Sequence, residues 1–153
     1  MSGPVWLPIE VVIRINEDCV TETAEPFFLR DRNLLESALA RPPNHYAYGE
    51  EDVFNLATTL IFGIAKNHPF AQGNKRTAFL TAVLFLERNG YVFSCANNEI
   101  LGKAIELVIN DQLTEAKFRE MIRPYVVPYD WTGACADDKI LSQSLVEIEA
   151  RVR

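Results

Sequence analysis

His68, Gln72, Gly73, Asn74, Lys75 and Arg76 bring a candidate base, two amides, a glycine and two adjacent cations into one short stretch. Phe79-Leu80-Thr81-Ala82-Val83-Leu84-Phe85-Leu86 follows closely, apolar on nearly every side. A charged turn that leads into a buried helix is costly unless an anion sits there. A helix start carries free backbone N–H groups and a partial positive charge, which suits an anion. Gly73 lets the backbone come close to a phosphate and adopt a nest-like turn. Lys75 and Arg76 occupy the helix end where cations are unfavourable, a conflict that a bound phosphate would relieve. Asn74 can donate from its side-chain amide. His68 is spaced to face the same turn, and an imidazole with its usual pKa of about 6.5 can take a proton from an attacking hydroxyl at neutral pH. This points to group transfer from a nucleotide to a hydroxyl, with the turn supplying position and charge neutralisation. Each residue also has a plainer reading: a structural histidine, a solvated pair of cations, Asn74 as a helix cap, and Phe70 as an anchor that pins the loop into the core. All of these would have to hold at once to explain the cluster.

The elements that must position these residues are helical. Residues 5–20 read as a helix through Leu7, Ile9, Val12, Ile13 and Ile15, although their β-branched density leaves a strand open. Asp31 caps a short helix over 32–40, which Arg41-Pro42-Pro43 stops. Residues 42–50 then form a loop whose His45, Tyr46 and Tyr48 pack on the core or line a pocket rim. Residues 51–66 make the next helix, with an apolar stripe from Val53 to Ile64, and Pro69 enforces the break. The central helix spans about 74–88, apolar all round from Ala78 to Leu86 and therefore packed on by others, and Asn89-Gly90 ends it. Tyr91-Val92-Phe93 suits a short extended piece. Asn97 or Asn98 caps a helix over 99–110, and Thr114 caps another over 115–122. After Pro124 and Pro128, a turn-rich patch at Tyr129-Asp130-Trp131-Thr132-Gly133 leads to one helix over 139–152, which caps the core or docks a partner.

The chain has 153 residues, 48% hydrophobic and 24% charged, enough for one domain with a real core. No apolar run reaches the roughly 20 residues needed to cross a bilayer. The N-terminus lacks the pattern of a signal peptide. A net charge of −6 argues against a general nucleic-acid binder. Cys19, Cys95 and Cys135 have neither metal-ligand spacing nor a disulfide framework, which suits reduced thiols in the cytoplasm. The expected partners therefore include no nucleic acid and no membrane.

The run from His68 to Ala78 resembles the signature of the Fic/Doc (Fido) superfamily in its Doc form, matched at His68, Phe70, Gly73, Asn74, Lys75, Arg76, Thr77 and Ala78. Arg30 to Leu39 looks like the Doc-type segment before the substrate-binding flap, and Leu84 to Gly90 looks like the end of the motif helix. The resemblance covers about residues 5–125. It implies an all-α, compact Fido-type bundle around one buried central helix, with room for a short β-hairpin flap. The Fido domain would be residues 1–128 and a C-terminal extension 129–153. By the same resemblance His68 is the general base, Phe70 the motif anchor, and Gly73, Asn74, Lys75 and Arg76 hold nucleotide phosphates. Fic members transfer AMP from ATP to a protein hydroxyl. Doc is the toxin of a toxin–antitoxin pair and phosphorylates a threonine of elongation factor Tu. Lys75, where Fic proteins have Gly, and Phe79, where they carry a second Arg, side with Doc. The implied cofactors are ATP as substrate and Mg²⁺; the implied partners are a protein substrate and an antitoxin.

Two departures and one near match to a regulatory pattern stand out. The acidic metal ligand expected before Gly73 is Gln72, and an amide oxygen is a weaker ligand for a hard cation than a carboxylate. Weaker metal binding, a substitute carboxylate, or a catalytically weak nucleotide- or partner-binding module are the alternatives. Asn16 stands where Doc-like proteins often have His. The Fic inhibitory pattern finds only a near match at Thr21 to Glu25, where Pro26 argues against an inhibitory helix and leaves a separate antitoxin as the natural regulator.

Overall fold

In the computed structural model, residues 3–94, 98–131 and 138–152 are described. Cys95, Cys135, the Asn97 cap and Thr132-Gly133 lie outside the described residues. Seven α-helices are present among those described: α1 (Ile9–Glu22), α2 (Arg32–Ala47), α3 (Val53–Asn67), α4 (Asn74–Arg88), α5 (Asn98–Ile109), α6 (Glu115–Ile122) and α7 (Asp138–Val152). Two short strands, β1 (Tyr91–Phe93) and β2 (Val126–Pro128), pair antiparallel with Val92 opposite Val127. The architecture is all-α with this small strand pair. No helix among the described residues is long and apolar enough to cross a membrane.

Three helix starts follow local chemistry. The Asp31 carboxylate accepts from the Asn33 and Leu34 N–H groups at 2.9 and 3.2 Å. Asp52 does the same for α3 through Phe54 and Asn55, and the Thr114 hydroxyl accepts from Lys117 N–H at 3.1 Å. Each such cap contributes about 1 kcal/mol. The first segment is a helix, not a strand, and it buries Val12, Asn16, Cys19 and Val20.

α2 departs from expectation. It does not stop at Ala40 but runs on through Pro42 and Pro43 to Ala47. Those rings remove the N–H partners of the Ala38 and Leu39 carbonyls. Helix packing holds the segment together: Leu35, Ala38 and Pro42 are buried, and α3 brings Gly63 against Ala38. A Cβ on Gly63 would lie 3.2 Å from Ala38 Cβ and 3.3 Å from its carbonyl oxygen. The 42–50 loop shrinks accordingly. Tyr46 sits edge-on to Trp6 at 6.0 Å, and Trp6 stacks on Phe85 at 5.6 Å.

α3 and α4 form the centre, with Phe54, Leu60, Phe62, Ile64, Phe70, Ala78 and Phe85 in one apolar core. α4 is less enclosed than its sequence suggests. Its Ala78, Ala82, Phe85 and Leu86 are buried, but Leu80 is 41% exposed, because this flank opens on a cleft between α1 and α5. α7 seats Leu141 and Leu145 in the same core and ties Glu149 to Lys103 of α5 at 2.8 Å. The close approach of α2 and α3 makes Gly63→Val the sharpest test of this packing. A loss of about 1–3 kcal/mol is expected, read as a lower urea midpoint with an unchanged slope.

Candidate functional site

The turn from His68 to Gly73 connects α3 to α4 and floors a cavity of ≈ 470 Å³. His68, Gln72, Gly73, Asn74, Lys75 and Arg76 all line it, together with Glu106 of α5. The fold thus collects the candidate residues on one wall and adds a carboxylate from another helix.

His68 caps α3 in the left-handed conformation, with φ 53 and ψ 52. That geometry costs a side-chain-bearing residue about 1 kcal/mol and is held only where the surroundings impose it. Here they do. The His68 N–H donates to Ile64 O at 3.1 Å, and its carbonyl accepts from the Arg30 guanidinium at 3.0 Å. The segment before α2 then runs beside the turn. Leu29 bridges Phe70 antiparallel. Ala71 N–H donates to Phe28 O at 2.9 Å, and the N–H groups of Arg30 and Asp31 both donate to Pro69 O. The imidazole itself is exposed at the cavity edge.

Phe70 is fully buried, as an anchor should be. Asn74 closes the turn onto it: its side-chain oxygen accepts from Phe70 N–H at 3.0 Å, and its amide donates to Phe70 O at 2.8 Å. Asn74 is therefore not the helix cap. That place belongs to Gly73 at φ 75, which makes no side-chain cap bond. The first backbone bond of α4 is Thr77 N–H to Gly73 O at 2.9 Å, so the N–H groups of Asn74, Lys75 and Arg76 precede any intrahelical acceptor. These N–H groups, the helix dipole and two cations are an anion-binding arrangement.

The two cations already have partners. Lys75 Nζ lies 3.8 Å from Glu106 Oε2. Arg76 pairs with the Glu25 carboxylate and donates to Cys19 O at 3.0 Å and to the Thr23 hydroxyl at 3.2 Å. The turn therefore balances its charge with the protein's own carboxylates. Thr21 and Glu22 end α1, so no inhibitory helix reaches Glu25, yet its side chain arrives at Arg76 from the following loop. Hydrogen bonds from the Thr23 hydroxyl and then from Arg76 hold the Glu25 carboxyl below its usual pKa. Burial pushes the neighbouring Cys19 thiol up. A second cavity of ≈ 530 Å³ shares Lys75, Arg76 and Glu106 with the first and is walled by Phe79 and Leu80.

The donors for a metal are sparse. The cavity wall offers three neutral amides, Gln72, Asn74 and Asn110, of which Asn74 is spent on the Phe70 backbone, and one carboxylate, Glu106, which is already near Lys75. No group of three or more His, Cys, Asp or Glu residues suited to a metal occurs among the described residues. Sequence reading missed Arg30, Glu25 and Glu106 as parts of the site. Glu25 carried a signal as part of the near match to an acidic pattern, and Arg30 as the start of the Doc-type segment; Glu106 carried none.

The model of the Fic/DOC family matches residues 6–86. The protein kinase doc of Escherichia phage P1 is 38% identical over 63 residues, 40% of this chain and 50% of that protein. The toxin Doc of Mycolicibacterium smegmatis is 40% identical over 65 residues, 40% of this chain and 49% of that protein. The chain spans about half the length of the curated relatives it matches.

If Glu25 competes with phosphate for Arg76, Glu25→Gln binds ADP a few-fold more tightly at pH 7 by titration calorimetry. The sign with pH follows from the lowered pKa. The carboxylate is charged and paired above the usual carboxylate range near 4.3 and loses its charge only as pH falls below it. The advantage of the variant is thus full at pH 7 and shrinks on acidification through that lower range.

Proposed function

The chain belongs to the Fic/DOC family, and we propose that it is a Doc-like toxin that transfers the γ-phosphate of ATP to a protein hydroxyl. The observation that carries this reading is Lys75, the residue at which Doc and Fic motifs differ. It lines the same cavity as His68 and stands beside the free N–H groups of α4. The similar proteins, a protein kinase and a toxin by name, support the same reading. A threonine of elongation factor Tu is the target that the resemblance implies, with an antitoxin as regulator and the cytoplasm as the place of action.

In the proposed reaction the hydroxyl oxygen attacks the γ-phosphorus while the His68 imidazole takes its proton. The bond from the γ-phosphorus to the β–γ bridging oxygen breaks, and ADP leaves. The N–H groups at the start of α4, with Lys75 and Arg76, stabilise charge on the phosphate oxygens. Phosphate displaces Glu106 and Glu25 from the two cations, since exposed ion pairs of this kind are individually weak. Mg²⁺ would normally accompany ATP, but neutral amides and one ion-paired carboxylate do not make a protein-held site. No step here is routed through the metal.

Gln72 favours a second reading, a nucleotide- or partner-binding module with little transfer. Incubation with labelled ATP and cell extract separates the alternatives. Label should pass to a protein from the γ-phosphate and fall by at least about 100-fold in His68→Ala. Label from the α-phosphate alone would replace phosphate transfer by AMP transfer. Gln72→Glu should raise metal-dependent transfer. If the unaltered protein already works at the variant's rate, the module reading fails.

A further inference from the structure

We propose that Asn16 is a positioning residue: from α1 it sets the Gln72–Gly73 peptide so that the Gly73 N–H is presented to phosphate. The inference rests on the nucleotide reading of the cavity.

Asn16 is fully buried in α1. Its Nδ2 donates to Gln72 O at 2.8 Å and to Thr77 Oγ1 at 3.0 Å. A carbonyl oxygen can only accept, so the amide nitrogen must face the turn. The side-chain oxygen is buried with no hydrogen-bond partner. An apolar side chain of similar size would avoid that orphaned oxygen. Asn16 keeps it and supplies two donors, one to the turn and one to the first turn of α4.

The geometry gives those donors a purpose. A trans peptide is planar, and its C=O and N–H point in opposite directions. Asn16 draws the Gln72 carbonyl inward towards α1. The N–H of the same peptide belongs to Gly73 and is turned away from α1, towards the cavity that Gln72 and Gly73 line. Without Asn16 this peptide can rotate and exchange its donor for a carbonyl, which repels phosphate. Gly73 makes the close fit possible. A Cβ there would lie 3.2 Å from Val20 Cγ1 and 3.3 Å from Asn16 Nδ2. Thr77, the other acceptor, belongs to α4 and takes its bond from Asn16 at the hydroxyl, apart from the Gln72 carbonyl that takes the first. The two bonds of Asn16 can thus be tested separately.

The test compares wild type, Asn16→Leu and Thr77→Val in full-length chains whose circular dichroism matches. Affinity for ATP, ADP and adenosine is measured by competition. Asn16→Leu should weaken ATP and ADP about tenfold, the scale of one hydrogen bond to a charged group, and leave adenosine unchanged. Thr77→Val keeps the Gln72 bond and should bind ATP within about twofold of wild type. Equal loss for adenosine, or an equal ATP loss in Thr77→Val, overturns the inference in favour of general packing. Unchanged ATP affinity in Asn16→Leu overturns it and leaves the nucleotide reading intact. A wild type that binds no ATP overturns both. Should Asn16→Leu fail to fold, the wild-type protein still decides. Inorganic tripolyphosphate should shift the Gly73 amide resonance strongly, and a Gly73 amide that does not respond overturns the proposal.

Discussion

The pair of hydrogen bonds between the Asn74 side chain and the backbone of Phe70 is the constraint on which the site depends. Both polar ends of one buried amide are used on one residue, which shuts the turn into a fixed ring. Phe70 seals that ring into the core. With the ring closed, His68 lies at one end of the turn in a left-handed conformation and Gly73 lies at the other. The backbone at His68 and the free N–H groups at the start of α4 are then set by the geometry of the turn. Preorganisation of this kind would reduce the reordering needed in the proposed phosphate transfer.

Charge in the turn is arranged differently from position. Two cations in the first turn of a helix oppose its dipole. The chain meets that with Glu106 from α5 and Glu25 from the loop after α1. Both pairs are substantially solvent-exposed, so they screen the cations without locking them. Lys75, with one contact at 3.8 Å, is the looser cation, and Arg76 is held also by Cys19 O and the Thr23 hydroxyl, while the helix start keeps its N–H groups. The structure therefore separates a rigid backbone grip from an adjustable ring of side-chain charge.

Much of this was legible in the sequence because it is written locally. Pro69, Gly73 and Asn89-Gly90 bound α4, and the bounds Asn74 and Arg88 follow from them. Asp31 and Thr114 announce their helices by cap chemistry. The failures are tertiary. Pro42-Pro43 is a stop signal by any local rule, and the tertiary packing of α2, with Pro42 buried and Gly63 close to Ala38, accounts for its continuation. The apolar run of α4 hid an open flank because composition cannot say which neighbour is missing at Leu80. Asn16 could be noticed as unusual, but its bond to Gln72 spans 56 positions. Glu25 and Arg76 are likewise 51 positions apart, beyond the reach of helical spacing.

The segment from Glu25 to Asp31 touches both halves of the site. At one end Glu25 meets Arg76; towards the other, Arg30 holds the carbonyl of His68. Between them the backbone bonds of Phe28 and the bridge at Leu29 fasten it along the turn. A strap tied this way cannot slacken at one point without loading the next. Kinetic effects of changes along it would therefore not sort cleanly into binding and chemistry. In the proposed phosphate transfer, the ground state and the transition state would share the same mechanical support.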